Sequence, residues 1–123
     1  MLDLIIKDGQ CYINGELKNV DVSVKDGKIQ GIGKIAEEAK DIIDAKGLTV
    51  LPGCIDTQAH FREPGSTDTE DLHSGSRAAI VGGITAVFEM PNTNPPTSTK
   101  KEFQRKLDLA KNRMYCNYAF YFG

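Results

Sequence analysis

The sequence has few of the residues that build metal sites or disulfide frameworks. It contains two histidines, three cysteines and no tryptophan. Cys11, Cys54 and Cys116 are far apart and odd in number, and no Cys-x-x-Cys pair occurs. This usage argues against a disulfide framework and against a thiolate zinc site. We expect buried, reduced thiols in a cytoplasmic protein.

Long apolar runs and an excess of one charge are also missing. No run approaches the ~18 residues that a membrane span needs, and the first residues lack the basic region and apolar core of a signal peptide. The net charge of −2 gives no electrostatic reason to expect nucleic acid or a membrane as partner. With 40% hydrophobic and 26% charged residues, the composition predicts a globular protein.

Residues 1–50 have the pattern of a small β unit. Leu4-Ile5-Ile6 precedes Lys7-Asp8-Gly9, and the segment 20–24 precedes Lys25-Asp26-Gly27. Because Asp-Gly between extended segments favours a tight turn, we expect a hairpin at both places. Valines alternate with polar residues in 20–24, which predicts a half-buried strand. The polar segment 36–40 predicts a loop.

Residues 51–123 alternate between strand and helix patterns. The order predicts a parallel sheet with right-handed crossovers. The predicted elements are a strand over 55–62, a helix from a capping box at Thr67 and Glu70 to Gly82-Gly83, a strand over 84–89, a helix from a second capping box at Thr99 and Glu102, and a strand over 115–122.

The first of these strands carries the candidate chemistry. Its side chains alternate between a polar and an apolar face, namely Asp56, Gln58, His60 and Arg62 against Ile55, Ala59 and Phe61. Polar residues near the carboxyl ends of barrel strands usually serve a site there. His60 is then a candidate metal ligand, and Arg62 a candidate clamp for a carboxylate. The alternative is a solvent-facing edge strand. His73 is interpreted as a solvated helix residue.

The loop after the second strand, residues 89–96, is the other candidate segment. Asn92 offers an amide donor and an acceptor, which suits the edge of a cyclic imide or ureide. The alternative is an ordinary turn, because Pro and Asn dominate turns for backbone reasons. Residue types alone favour neither interpretation.

Five blocks of the sequence occur in the order found in one enzyme family. They are residues 51–56, His60-Phe61-Arg62-Glu63-Pro64-Gly65, residues 74–79, Gly82-Gly83-Ile84-Thr85 and residues 90–96. Together they resemble the dihydroorotases of the amidohydrolase superfamily. The segment His60-Phe61-Arg62 and the Met-Pro-Asn-Thr loop favour dihydroorotase over hydantoinase, and an allantoinase-like ureide hydrolase remains the alternative.

The resemblance implies an α/β fold in two parts. Residues 1–50 would form a small β-sandwich portion, and 51–123 the first βαβαβ units, strands 1 to 3, of a (β/α) TIM-type barrel. It implies hydrolysis of a cyclic amide C–N bond, interconverting dihydroorotate and carbamoyl-aspartate in pyrimidine biosynthesis. It also implies zinc as cofactor, His60 as a metal ligand, and Arg62 and Asn92 as substrate-binding residues. No catalytic residue is assigned within the chain.

Two departures from the family pattern shape the expected activity. Gln58 stands where the family has the first histidine of His-x-His, and an amide oxygen is a weaker zinc ligand than an imidazole nitrogen. A complete barrel needs eight units and ~250 residues. We therefore expect a truncated or split form that is inactive alone, completed by a complementary chain or a homo-oligomer. The alternative is a non-catalytic subunit that binds a partner enzyme.

Overall fold

The computed structural model describes residues 1–123 and divides the chain into two compact units, Met1–Pro52 and Gly53–Gly123. The first unit contains only strands, and the second alternates strands with helices. None of the helices combines the length and the apolar character needed to cross a membrane.

The first unit consists of two small sheets. Its strands are β1 (Leu2–Lys7), β2 (Gln10–Ile13), β3 (Glu16–Asn19), β4 (Asp21–Lys25), β5 (Lys28–Gly33), β6 (Ala39–Asp44) and β7 (Thr49–Val50). One sheet has the strand order β5-β4-β1-β6, and the other has the order β3-β2-β7. In the larger sheet β1 pairs antiparallel with β4 and parallel with β6.

The hairpin predicted at Asp26-Gly27 is confirmed. It joins the antiparallel strands β4 and β5, and both turn residues have positive φ, 51° and 71°. Positive φ at two successive residues matches the right-handed twist of the flanking strands. A second hairpin, which the sequence analysis did not identify, joins β2 and β3 at Asn14-Gly15, with φ of 51° and 87°.

The hairpin predicted at Asp8-Gly9 is wrong. The strands on either side, β1 and β2, belong to different sheets, so this turn carries the chain from one sheet to the other. Gly9 serves a close approach here, because a Cβ on it would lie 2.6 Å from Cγ2 of Val50. An Asp-Gly pair reports the local bend but not which strands pair across it.

Two further local predictions in the first unit need correction. The predicted loop 36–40 is shorter, since β6 begins at Ala39 and pairs with β1. The polar residues of this segment do not predict a strand, but pairing with the neighbouring strand β1 makes one. In β4 the alternation is incomplete because Ser23 is buried beside Val22, with its hydroxyl donating to the carbonyl of Gly31 at 3.3 Å. A hydroxyl that keeps a hydrogen bond is buried at low cost.

The second unit has the predicted βαβαβ order. Its elements are β8 (Cys54–Ala59), α1 (Leu72–Val81), β9 (Ile84–Glu89), α2 (Lys100–Ala110) and β10 (Asn117–Phe120). The sheet order is β10-β9-β8, and both strand pairs are parallel. The parallel pairing predicted from the alternation of strands and helices is confirmed.

One of the two predicted helix caps is confirmed. The hydroxyl of Thr99 accepts the backbone N–H of Glu102 at 3.2 Å and caps α2 as predicted, but the return contact of the predicted capping box, from the Glu102 side chain to Thr99, is not formed. The cap predicted for α1 at Thr67 is wrong. Asp71 caps α1 instead, its carboxylate accepting the N–H of Ser74 at 2.6 Å, while the Ser74 hydroxyl accepts the N–H of Asp71 at 3.1 Å.

The core of the second unit lies between the sheet and the helices. Its buried members are Ala59, Phe61, Leu72, Val87, Ala110 and Cys116. Gly75 of α1 lies directly against the Phe61 ring, since a Cβ on this glycine would be 2.4 Å from Cδ1 of the ring. This close packing holds the segment that follows β8, where the candidate site residues lie.

Candidate functional site

The first candidate strand ends earlier than predicted. β8 ends at Ala59, and Arg62 has a φ of 65°, which an extended strand does not allow. Ala59 and Phe61 are buried as predicted, whereas Ile55 is 59% exposed. His60 and Arg62 therefore lie in the loop after the strand, and the predicted common polar face does not extend to them.

His60 and Asn92 lie in direct contact although they are far apart in the sequence. Nδ1 of His60 is 2.9 Å from Oδ1 of Asn92. An amide oxygen only accepts hydrogen bonds, so Nδ1 is the donor in this contact, and in the uncharged form of the ring Nε2 then keeps its lone pair. That tautomer suits a metal ligand or a proton acceptor at Nε2. Two of the candidate residues are thus brought together at the carboxyl ends of adjacent parallel strands.

The two loops that carry this pair are also joined through their backbones. The N–H of Asn94 donates to the carbonyl of Pro64 at 2.9 Å, and the N–H of Met90 donates to the carbonyl of Ala59 at 2.9 Å. A Cβ on Gly65, which has a φ of 121°, would lie 2.8 Å from Cβ of Asn94. The His60–Asn92 contact is thus bracketed by backbone contacts on both sides.

The Asn92 loop is additionally ordered by its own hydrogen bonds. The N–H groups of Thr93 and Thr97 both donate to the carbonyl of Pro91 at 2.9 Å, and the Thr93 hydroxyl donates to the carbonyl of Pro95 at 3.0 Å. Thr97 is 1% exposed. The segment is therefore a compact Pro/Asn turn, as one interpretation held, and it also presents the Asn92 amide to His60.

The other candidate residues remain outside this contact. Arg62 is exposed, and its carbonyl accepts the N–H of Ser66 at 3.0 Å. Gln58 is exposed near the end of β8, and its backbone N–H donates to the Asp56 carboxylate at 2.9 Å. The structure brings His60 and Asn92 together, and it leaves the side chains of Arg62 and Gln58 at the surface.

The donor set of the chain does not fit a complete zinc centre. No group of three or more His, Cys, Asp or Glu side chains is placed to hold one metal ion. Zinc centres in proteins use three or four such ligands. His60 provides a single imidazole, and the neighbouring side-chain amides of Gln58 and Asn92 are weak zinc ligands.

A buried ion pair that the sequence analysis missed lies behind the site. Lys106 of α2 pairs with Glu89 at the end of β9, and their side chains are 0% and 1% exposed. Nζ of Lys106 also donates to the carbonyl of Met90 at 3.0 Å. Burial raises the pKa of the Glu89 carboxyl, and the Lys106 ammonium opposes that shift. Lys106 follows Phe103 by three residues and precedes Ala110 by four. This spacing places Lys106 on the apolar face of the helix, so the sequence pattern did indicate that its side chain is buried.

A second unpredicted ion pair holds the loop between β8 and α1. The guanidinium of Arg113 contacts both carboxylate oxygens of Glu63, at 2.8 and 3.1 Å. Glu63 also accepts the backbone N–H of Leu72 at 2.9 Å. This carboxylate raises the pKa of the Arg113 guanidinium. Glu63 and the Asp71 cap therefore both contact the first turn of α1, which begins at Leu72 and not near Thr67.

His73 matches its prediction as a solvated helix residue. It is exposed on α1, and its Nε2 lies 3.2 Å from the Tyr115 hydroxyl. The two rings meet edge to face with centroids 5.1 Å apart. His73 is thus separate from the His60–Asn92 contact.

Comparisons with known proteins agree with this fold. The amidohydrolase family model matches residues 49–123, and the chain belongs to that family. It is 45% identical to the allantoinase of Escherichia coli O1:K1 / APEC over 113 aligned residues, and the aligned segment covers 91% of this chain and 25% of that protein. It is 44% identical to the allantoinase of Salmonella choleraesuis (strain SC-B67), again over 91% of this chain and 25% of the relative.

A solved structure shares the whole described fold. The L-hydantoinase (dihydropyrimidinase) from Arthrobacter aurescens superposes with a TM-score of 0.90 and 35% identity, over 100% of this chain and 28% of that one. The predicted α/β class, with the first βαβαβ units of a TIM-type barrel, is confirmed. The chain spans about a quarter of the length of the curated relatives. These relatives favour the allantoinase-like alternative over dihydroorotase.

Proposed function

We propose that this chain provides the first strands of the active site of an allantoinase-like hydrolase, which opens a cyclic ureide by cleaving a ring amide C–N bond. The single observation that carries the proposal is the His60–Asn92 contact, 2.9 Å long, at the carboxyl ends of two adjacent parallel strands. Active sites of (β/α) barrels lie at that end of the strands. The 45% identity to an allantoinase supports the ureide over dihydroorotate as substrate.

The side chains at this position fit a ring that carries amide groups. Because Oδ1 of Asn92 faces His60, the amide NH2 group of Asn92 is the part that remains to donate to a ring carbonyl. Opening a cyclic amide with water releases a carboxylate. The exposed guanidinium of Arg62 has the charge and planar geometry to bind that new carboxylate.

A zinc centre, which the resemblance implies, needs donors in addition to His60. We propose that these donors come either from residues outside the 123 described, on a longer or complementary chain, or from another copy of this chain in a homo-oligomer. The chain alone is then inactive. His60 would contribute one imidazole nitrogen to that centre.

The first test is an assay of the purified chain with allantoin, hydantoin and dihydroorotate, with and without added zinc, together with metal analysis by mass spectrometry. We expect no turnover and no stoichiometric zinc. Zinc-dependent turnover by the chain alone would show that its own residues complete the site.

A second test places the chain in a complete barrel. In a chimera, residues 1–123 replace the matching quarter of the Escherichia coli allantoinase. We expect allantoin hydrolysis that falls at least ~100-fold in His60→Ala, as for other residues of the reacting centre. The control is His73→Ala, which removes the chain's only other histidine and is expected to keep activity. Equal activity in both variants would contradict the role given to His60.

Gln58 supports a second candidate function, a non-catalytic amidohydrolase-like subunit that binds a partner enzyme. A neutral amide oxygen at this exposed position weakens zinc binding relative to an imidazole. In the same chimera Gln58→His tests this candidate. Raised zinc content and activity would indicate a site impaired by Gln58, and unchanged values would indicate that Gln58 is compatible with hydrolysis.

A further inference from the structure

The Glu89–Lys106 ion pair is almost completely buried, which is unusual for charged side chains. The side chains of Lys106 and Glu89 are 0% and 1% exposed, and Nζ of Lys106 lies 5.4 Å from the centroid of the Phe120 ring. Removing two charges from water costs more than their attraction often returns, and a well-packed apolar pair is frequently as stable. Stability alone is therefore a weak explanation for this pair.

The position of the pair suggests another role. Nζ of Lys106 donates to the carbonyl of Met90, two residues before Asn92. The N–H of Met90 in turn donates to the carbonyl of Ala59, the residue before His60, at 2.9 Å. The ion pair thus holds Met90, whose backbone joins the two loops within two residues of each partner in the His60–Asn92 contact.

The backbone around the pair strengthens this link. Glu89 is paired with Ala59 across the two strands, and its carbonyl accepts the N–H of Tyr121 at 3.0 Å. The end of β9 is therefore fixed on both sides by neighbouring backbone. A carboxylate anchored there has a defined position from which to hold Lys106 against the Met90 carbonyl.

We propose that Glu89 and Lys106 are positioning residues, which hold the two loops so that His60 meets Asn92 with Nδ1 protonated and Nε2 unprotonated. Neither residue touches substrate in this role. The inference deepens the proposed function, on which its relevance to hydrolysis rests. The geometric part of the inference is testable without any turnover.

The decisive variant replaces both charges together, as Glu89→Met with Lys106→Met. Replacing a whole buried pair by apolar residues of similar length is expected to preserve stability, whereas removing one partner is not. A purely stabilising pair would leave the site unchanged in a well-folded double variant. A positioning pair would leave the fold intact and still lose the His60–Asn92 geometry.

The measurement is the imidazole tautomer of each histidine in the 15N-labelled chain, from long-range 1H–15N spectra at a pH well above the ordinary histidine pKa of ~6.5. In the unsubstituted chain we expect His60 to be mainly Nδ1-protonated. In the double variant we expect the ratio of the Nε2-protonated to the Nδ1-protonated form of His60 to rise at least ~3-fold. His73, on α1, is the internal control and is expected to stay unchanged.

Two results would overturn the inference. One is a folded double variant in which His60 keeps its original tautomer ratio. The other is an unsubstituted chain in which His60 shows no preference for the Nδ1-protonated form. If the double variant does not fold, Glu89→Leu with Lys106→Leu replaces it, because it also removes both charges together and fills the space with apolar side chains. An unchanged His60 spectrum in that folded variant counts against positioning by the ion pair, and a shifted spectrum supports it.

These outcomes are separate from the fate of the proposed function. An inactive chimera with the expected tautomer changes would leave the positioning role in place and remove only its link to hydrolysis. An active chimera with an unchanged His60 tautomer in the double variant would retain the hydrolase and reject the positioning role.

Discussion

Each unit of the chain contains one lysine–carboxylate pair that joins two elements, and the two pairs differ in their exposure to water. In the first unit Lys40 of β6 lies 2.5 Å from Asp3 of β1, with side chains 58% and 35% exposed. In the second unit Lys106 and Glu89 are 0% and 1% exposed. Water and salt screen the first pair, so it contributes little to stability, whereas the second pair has no solvent to replace a lost partner.

The pKa values of the two carboxyls shift in opposite directions because the carboxyls differ in burial. The Lys40 ammonium, followed by the backbone N–H of Asp26, lowers the pKa of Asp3. Burial raises the pKa of Glu89 and outweighs the attraction of Lys106. A nearby lysine therefore does not by itself decide whether a carboxyl is stabilised in its charged form. The degree of desolvation decides it.

Lys106→Met is the change expected to have the largest effect. It leaves the Glu89 charge buried without a partner, and we expect the second unit to lose about 3–5 kcal/mol of unfolding free energy. Lys40→Met in the first unit is the matched control, and its effect should be far smaller because Asp3 remains hydrated. Urea unfolding followed by residue-resolved NMR separates the units. Losses of similar size in both variants would remove the distinction between the two pairs.

A second comparison concerns packing around glycine. In Gly75→Ala the new methyl group would lie 2.4 Å from the buried Phe61 ring, and we expect a loss of about 1–3 kcal/mol. In Gly9→Ala the close atoms are Cγ2 of Val50, at 2.6 Å, and Cβ of Ala45, at 3.0 Å, and Val50 is a half-buried residue that ends a two-residue strand. We expect a smaller loss there. Thermal unfolding measures both, and a larger effect at Gly9 would show that the first unit is the more rigidly packed.

The smallest expected effect is the response to acid. The pKa values of Asp3 and of the helix cap Asp71 are lowered in the folded chain from 3.8. Stability from these groups is therefore present above pH 3.8 and is lost as the pH falls through their folded-state values. Glu89 has the opposite sign, because its pKa is raised in the folded chain from 4.5, so protonation of Glu89 adds stability as the pH falls through the folded-state value toward 4.5.

Urea midpoints measured at a series of pH values below about 5 check these signs. Asp3→Asn should reduce the acid sensitivity of the first unit, and Asp71→Asn that of the second. We expect the stability of the first unit to fall more strongly with acid than that of the second unit, because protonation of Glu89 partly offsets the loss of stability in the second unit. Unchanged acid sensitivity in both variants would indicate that other carboxyls dominate.

Much of the fold follows from short-range patterns in the sequence. The apolar run 84–89 coincides with β9, Thr99 caps α2, and the positive φ at Asp26-Gly27 closes the hairpin between β4 and β5. Each of these depends on a few neighbouring residues and on backbone sterics or a local hydrogen bond. The motif blocks likewise indicated the amidohydrolase superfamily, although they favoured dihydroorotase where the relatives favour allantoinase.

The arrangement of the candidate site depends instead on contacts between distant residues. His60 meets Asn92 across 32 positions, Lys106 bonds Met90 across 16, and Arg113 holds Glu63 across 50. Local propensity does not encode such pairs, because they require the parallel register of β8 and β9 and the crossover of α2 before the side chains meet. Polar residue types marked His60 and Asn92 as candidates, but only the folded chain joined them and buried an ion pair behind them.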